Sequence, residues 1–275
     1  MNTKSTTVRF ASLVEADWYD YPQYYDMLFD DDTPYEADFI EAACLKYGIA
    51  RESIEGVELL EPGCGSGRLA EELARRGCRF TGFDLSPSML DYTKQRLENR
   101  NLRAELQQAD MTDFELDRQF DAAYCLINTF RHLLTEEAAI SHLESVARHV
   151  KSGGIYILGF HLIPPDADPE CVELWSAEDD DAQVFGLLRV IEFDRAARRE
   201  TLRVSVQAKP ADGSRPIHVR SDFPLRLYMA DQFRDLLAKT PQWHLGEVFD
   251  FNYEIDDPLP FNDILSDAVF ILHRV

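Results

Sequence analysis

The sequence predicts an α/β protein: a doubly wound, mostly parallel sheet with an inserted antiparallel β meander. Three observations carry that prediction. Between about residues 55 and 162, apolar runs of strand length alternate with stretches of helical period, and helices between strands imply parallel pairing. Within 57–70, one such run turns through Gly63, Gly65 and Gly67 and opens directly into a helical pattern. After Phe160 the rhythm changes to three β-rich runs spaced too closely for crossover helices.

Each element has its own signal. Residues 16–48 are aromatic and acidic, and Pro34 opens a helix whose Phe39, Ile40, Ala43 and Cys44 recur at helical spacing. Residues 57–61 read as a strand, and Leu69, Ala70, Leu73 and Ala74 mark the face of the helix that follows. Arg79–Asp84 is the next strand, and Ser86-Pro87 supplies a cap and then a proline at the first helical position. The remaining parallel strands fall at 103–108, 120–126 and 154–160. A helix over 135–150 begins with Glu136 and Glu137 and ends near Arg148, His149 and Lys151, the charge order that suits its dipole. Pro164, Pro165 and Pro169 then break the chain, and the meander occupies 184–194, 200–209 and 216–228. A helix over 229–239 and strands at 243–253 and 267–275 close the sheet. The expected organisation is an N-terminal helical and aromatic segment at 1–50, an α/β domain at 51–162 and 229–275, and an inserted sheet at 163–228.

Composition narrows the partners. Fifty acidic against 28 basic residues give a formal charge of −22, which repels nucleic acid and anionic lipid and tolerates a cationic or amine-bearing small molecule. Five cysteines without C-x-x-C spacing read as reduced thiols in a cytoplasmic protein without a metal site. Residues 1–18 hold no apolar stretch of signal-peptide length, and no run approaches a membrane span.

The chemistry concentrates at strand ends. A dinucleotide fingerprint G-x-G-x-x-G needs glycine at position 68, where this chain has Arg68; the pattern from Glu61 is E-x-G-x-G-x-G. The helix start after it is expected to present unpaired N–H groups to a ligand. Asp84 lies 19 residues beyond Gly65, where a carboxylate can accept from both hydroxyls of a ribose; the alternative is a capped turn with Ser86. Asp110 can accept from an adenine amine while Met111 packs on the ring, or the two are a polar loop residue and a core methionine. The run 120–133 carries a strand into a loop, placing Asn128 and His132 near a reacting centre, whereas Asp121 caps or braces the sheet.

Glu61 to Gly67, Asp84, Asp110-Met111, 120–126 and Lys151-Ser152-Gly153-Gly154 together resemble class I S-adenosylmethionine-dependent methyltransferases, with their Rossmann-like sheet, over about 55–162. The resemblance implies S-adenosyl-L-methionine as methyl donor. It implies that Gly63 and Gly65 back its methionine part, Asp84 holds the ribose hydroxyls, Asp110 the adenine amine and the Leu126 region the ring or sulfonium side, with Tyr19, Tyr25, Glu61, Cys64, Leu85, Met89 and Met111 as further cofactor contacts. A narrower similarity, carried by Tyr25-Asp26, the loop 128–133 and the meander, is to glycine/sarcosine and amino-sugar N-methyltransferases. It implies a small-molecule acceptor, an aromatic lid drawn from Trp18, Tyr19, Tyr24 and Tyr25, an inserted sheet that caps the substrate or joins a homodimer, and catalytic contacts from Tyr25, Asn128 and His132. Asp30–Asp32 lacks basic residues that some of these relatives carry there, which leaves the acceptor unassigned.

An amine acceptor needs deprotonation, alignment and exclusion of water; a hydroxyl needs a base, for which His132 and His161 are placed, although such histidines are more often structural than catalytic. The readings set side by side are a small-molecule methyltransferase with an amine slightly favoured, a noncatalytic binder of S-adenosyl compounds, and a nicotinamide oxidoreductase, which Arg68 disfavours.

Overall fold

The structure, a computed structural model, describes residues 12–168 and 170–275. The expected break at Pro169 and the first eleven residues of the stretch read for a leader lie outside the described residues. In chain order the elements are β1 (Leu13–Glu15), α1 (Pro22–Phe29), α2 (Thr33–Lys46), β2 (Glu58–Pro62), α3 (Arg68–Arg75), β3 (Arg79–Asp84), α4 (Pro87–Asn99), β4 (Ala104–Gln108), β5 (Phe120–Cys125), α5 (Glu136–His149) and β6 (Val150–His161). There follow β7 (Val172–Glu178), β8 (Ala182–Asp194), β9 (Arg199–Pro210), β10 (Ile217–Arg226), α6 (Ala230–Ala238), β11 (Trp243–Phe249) and β12 (Asp267–Arg274).

A seven-stranded sheet runs β11-β12-β6-β5-β2-β3-β4. β2 to β6 are parallel, and β12 enters antiparallel beside β6. The order reverses between β2 and β5, so the carboxyl ends of those strands open a crevice where ligands bind in such sheets. One face packs on α5 and α6 through Phe130, Tyr156, Phe160, Phe233 and Phe270. The other packs on α2 and α3 through Phe39, Ile40, Leu69, Leu73 and Phe80. The cap read from sequence forms, Ser86 Oγ accepting from Met89 N–H at 3.3 Å; Thr135 Oγ1 likewise accepts from Ala138 N–H at 3.1 Å at the start of α5.

A second, five-stranded sheet runs β1-β10-β9-β8-β7. The three expected runs are β8, β9 and β10, paired antiparallel. Two strands had no clear sequence signal: β7, whose exposed Val172 and Leu174 alternate with acids and turn residues, and β1, three residues long and parallel to β10. β6 also starts earlier than its apolar run, at Val150, which pairs with Phe120; the register then shifts, and pairing with β5 resumes at Ile155 opposite Ala122.

The described residues before β2 pack in several places. β1 joins the five-stranded sheet, α1 lies against β7, β8 and α4, and α2 packs on α3 and the main sheet. The helical start at Pro22 was masked by an aromatic, acidic composition that shows no apolar stripe. Among the described residues, no helix is long and apolar enough to cross a membrane.

Candidate active site

The glycine loop between β2 and α3 is held from inside. The N–H groups of Gly63 and Cys64 donate to Phe83 O at 2.8 and 3.0 Å, Gly65 N–H to Asp84 Oδ2 at 2.9 Å, and Gly67 N–H to Cys64 O at 3.0 Å. Four amides of the turn are thus spent on the protein, whereas no side chain caps α3 and, among the described residues, the N–H groups of Arg68, Leu69 and Ala70 have no partner. Gly63 has φ +72, and a Cβ there would lie 2.6 Å from Thr129 Cγ2; Gly65, at φ +52, would direct a Cβ into open space. The loop gives a ligand closeness rather than anion-binding donors.

Over it lies a cavity of about 430 Å³, within the range of small-molecule sites. Its floor is Gly63 and Gly65, one wall Asp84, Leu85 and Met89, another Ala109 and Met111, and its roof Tyr19, Tyr25, Thr129 and His132. Asp17 and Asp20 stand at the rim; the lining holds three aspartates and no lysine or arginine. A diphosphate entering here would meet carboxylates and occupied amides, whereas a sulfonium or an amine would be attracted.

Asp84 does both things its sequence position allowed. Its Oδ2 accepts from Gly65 N–H and its Oδ1 from Ser86 N–H, both at 2.9 Å, so the capped-turn reading holds, and the same carboxylate lines the cavity with lone pairs to spare. Burial raises its pKa, and the amide hydrogen bonds oppose that shift.

The expected residues divide. Tyr19, Tyr25, Gly63, Gly65, Asp84, Leu85, Met89, Met111 and His132 line the cavity. Glu61, Cys64, Asp110, Leu126 and Asn128 do not. Glu61 is buried under the loop, where its carboxylate accepts from Tyr124 O–H at 3.0 Å and burial pushes its pKa well up. Cys64 and Leu126 point into the apolar core on the α2 and α3 side. Asp110 turns outward and accepts from Thr112 N–H at 2.8 Å, leaving its neighbours Ala109 and Met111 on the wall. Asn128 is corrected from a catalytic to a bracing place: its Oδ1 accepts from His161 N–H at 2.9 Å and from Arg131 Nη1 at 3.2 Å, which fixes the loop at φ +66. Sequence reasoning missed Thr129, Ala109 and the rim acids, for small and acidic loop residues carry no signal by themselves.

His132 is walled in by Tyr19, whose hydroxyl lies 3.3 Å from Nε2, and by Phe223 of β10, stacked at 5.6 Å. Burial, with Arg131 beside it, lowers its pKa to about 4, while burial raises those of Tyr19 and Tyr25. At neutral pH the phenol of Tyr19 thus faces a neutral imidazole. Of the other proposed lid rings, Trp18 and Tyr24 pack in the core of the five-stranded sheet. Among the described residues, no group of three or more His, Cys, Asp or Glu side chains is placed to hold a metal ion.

Comparison with known proteins agrees with this geometry. Residues 59–154 match the family described as a methyltransferase domain. The dTDP-3-amino-3,6-dideoxy-alpha-D-glucopyranose N,N-dimethyltransferase of Streptomyces fradiae is 29% identical over 195 residues, covering 70% of this chain and 72% of its own. An S-adenosylmethionine-dependent methyltransferase from Clostridium acetobutylicum superposes with a TM-score of 0.75 at 18% identity, over 94% of this chain and 98% of its own. A sugar N-methyltransferase from a Streptoalloteichus species gives 0.69 at 22%, over 100% and 99%. At such identities the structural likeness is one of fold, and the fold, the methyltransferase domain matched over residues 59–154 and the acid-lined cavity over a glycine turn are consistent with one another.

Proposed function

We propose that the protein methylates an amine of a small, hydroxylated acceptor, within the cavity roofed by Tyr19, Tyr25 and His132. The observation that carries the reading is the state of His132. With a pKa lowered to about 4, it is too weak a base to take a proton from an alkylammonium ion or a hydroxyl, but as a neutral imidazole it can orient a nucleophile. A neutral amine needs no more than that. An O-methyltransferase using His132 as base fits less well.

S-adenosylmethionine, when bound, supplies an electrophilic methyl on a sulfonium. This chain's residues supply the rest: Asp84 as acceptor for ribose hydroxyls, Leu85, Met89 and Met111 as apolar contacts for the adenine, and Gly63 and Gly65 as the close floor under the methionine part. The rings of Tyr19 and Tyr25 give negative faces to a nearby cation and exclude water, and alignment of this kind can contribute on the order of 7 to 11 kcal/mol. Asn128 and Arg131 act as positioning residues for the loop that bears His132. Residues 163–228, which supply four strands of the five-stranded sheet, cap the acceptor, with Phe223 behind His132; a homodimer through that sheet and a cytoplasmic location complete the proposal. Nucleic acid is not among its partners, given the −22 charge. The Streptomyces fradiae relative, named for an amino-sugar substrate, supports the acceptor class.

Titration calorimetry with S-adenosylmethionine, S-adenosylhomocysteine and NAD tests the donor, and mass spectrometry on a panel of amino sugars tests turnover. Binding of the first two, exclusion of NAD and a gain of one or two methyl masses on an amine are expected. Tight binding without turnover on any amine would make the protein a noncatalytic binder, and preference for NAD would overturn the reading.

A further inference from the structure

One wall of the donor cavity, formed by Ala109 and Met111, belongs to the loop that follows β4. A loop has no ladder of its own, so its place is set by the elements it touches. Ala109 N–H donates to Asp84 O at 3.2 Å. Further along, α5 takes over: Ser145 Oγ donates to Asp113 Oδ1 at 3.1 Å, Arg148 Nη2 to the same oxygen at 2.8 Å, and Leu116 N–H to His149 Nε2 at 2.8 Å. Among these α5 side chains, the one that holds a cavity-lining residue is His142, whose Nδ1 lies 2.8 Å from Met111 O.

His142 is fully buried, and its two ring nitrogens have separate partners: Met111 O for Nδ1, and for Nε2 the hydroxyl of Tyr156 on β6, at 2.8 Å. A carbonyl can only accept, so the proton sits on Nδ1, and Nε2 of the neutral ring accepts from Tyr156 O–H. Burial lowers the pKa of the ring to about 4, with the bond to Met111 O and the charge of Asp110 opposing, so this arrangement holds at neutral pH. The ring also meets Phe130 edge-on at 5.5 Å, and Phe130 sits in the chain between Thr129 and His132 of the cavity roof. His142 itself does not line the cavity. An apolar side chain could fill its place without two polar groups to satisfy; the histidine adds a fixed donor aimed at the backbone of the wall.

We infer that His142 is a positioning residue for the methyl donor: from behind the wall it fixes the Met111 carbonyl and, with it, the side chain on which the adenine packs. A peptide free to turn at Met111 would carry the thioether off the wall, and the contact surface for the base would be lost before any catalytic group moved. Asp110 offers no such restraint, because its side chain is exposed and bonded to Thr112 N–H. The inference rests on the donor placement proposed above, with adenine beside Met111.

Two replacements in the whole protein separate positioning from packing. His142→Asn keeps an amide N–H at the place of Nδ1 and gives up the bond to Tyr156, whereas His142→Gln reaches the place of Nε2 and gives up Met111 O. Each loses one of two buried hydrogen bonds, so a merely structural histidine would make the variants alike. Urea unfolding should give them similar midpoints. Calorimetry should give S-adenosylhomocysteine affinity within about twofold of wild type in His142→Asn and in Tyr156→Phe, and about tenfold weaker in His142→Gln. Equal affinities in the asparagine and glutamine variants, or the reverse order, would overturn the positioning role. The wild type supplies a check that no variant can spoil: nitrogen NMR of its histidine rings should find the His142 proton on Nδ1, and a proton on Nε2 in its place would overturn the inference as well. Met111→Ala tests the wall itself, with binding expected to weaken about tenfold. Unchanged affinity in Met111→Ala would move the adenine elsewhere and take the inference with it; a weakened Met111→Ala beside matching His142 variants would overturn the clamp and leave the donor placement standing.

Discussion

Two side chains at the donor cavity make opposite demands on an experiment. Asp84 is a brace as well as the proposed ribose contact, so Asp84→Ala would remove that contact and leave the Gly65 and Ser86 N–H groups unpaired at the same time. A loss of affinity in that variant would say little, and a stability loss of about 1–3 kcal/mol is expected from the orphaned donors alone. Asp84→Asn is the sharper change. It keeps one acceptor oxygen and the shape, and calorimetry should show S-adenosylhomocysteine binding weakened by about 10-fold or more, since a hydrogen bond to a charged acceptor contributes about 1.5–3 kcal/mol. Unaltered binding would place the ribose elsewhere. His132 separates base from positioner. Its pKa is lowered, so the ring is neutral from about pH 5 upward and changes charge only as pH falls toward 4. The rate should therefore rise with pH as the acceptor amine loses its proton, without an inflection at the ordinary histidine value near 6.5. His132→Asn should lower kcat by about 10-fold or less, against 10²–10⁴-fold for loss of a true base. An inflection near 6.5 that vanishes in the variant would restore the base role.

At the scale of elements, the lid is latched to the loop it covers. Asp26 of α1 accepts from Ser66 Oγ at 2.9 Å and from Tyr92 O–H at 3.3 Å, and pairs with Arg96 at 2.5 Å. Arg96 in turn reaches Glu71 of α3 at 2.6 Å. One carboxylate thus ties α1 to the glycine turn, to α3 and to α4. Asp26→Asn keeps a polar group but removes the charge opposite Arg96. Tyr25, one residue away, would then lose its fixed place on the roof. The expected result is a higher KM for the donor with a smaller change in kcat, measured by steady-state kinetics at saturating acceptor. An unchanged KM would show the latch to be structural only. None of this was legible in the sequence, although most of the framework was. Strands β2, β3 and β5 announced themselves because apolar runs at fixed distance from glycine turns have few other readings, α4 because Ser86-Pro87 is a local signal, and α5 because its acidic start and basic end are. The latch is long-range: Asp26 and Ser66 are 40 residues apart, and nothing in either neighbourhood names the other. The same limit explains Glu61 and Asn128. Their positions at strand ends were right, but which way a side chain turns there is decided by Tyr124 and by Arg131, partners that only folding brings near.

On the scale of the whole molecule, two sheets have to be held in register for one site, because His132 lies on the α/β body and Phe223 behind it on the five-stranded sheet. Arg131 is the joint. Its guanidinium is buried, pairs with Glu200 of β9, donates to Arg226 O at 2.9 Å and holds Asn128 at 3.2 Å. The sequence offered the five-stranded sheet as alternating runs, but the joint rests on an arginine beside the candidate histidine and a glutamate 69 residues away. A buried pair is weak evidence for stability, since dehydrating two charges offsets much of their attraction; losing one partner is costly because the other stays buried alone. Glu200→Gln should therefore lower the unfolding free energy by about 3 kcal/mol, read as a shift in urea midpoint at constant slope. The double replacement Arg131→Met, Glu200→Leu should recover most of that loss, since apolar groups of similar volume need no partner. Activity should not return with stability. Without Arg131 the 128–132 loop loses its anchor to both sheets, and kcat should stay at least about 10-fold down while S-adenosylhomocysteine still binds. Full activity in the stable double variant would mean that the two sheets find their register without this joint, and that the site depends on the loop's own backbone instead.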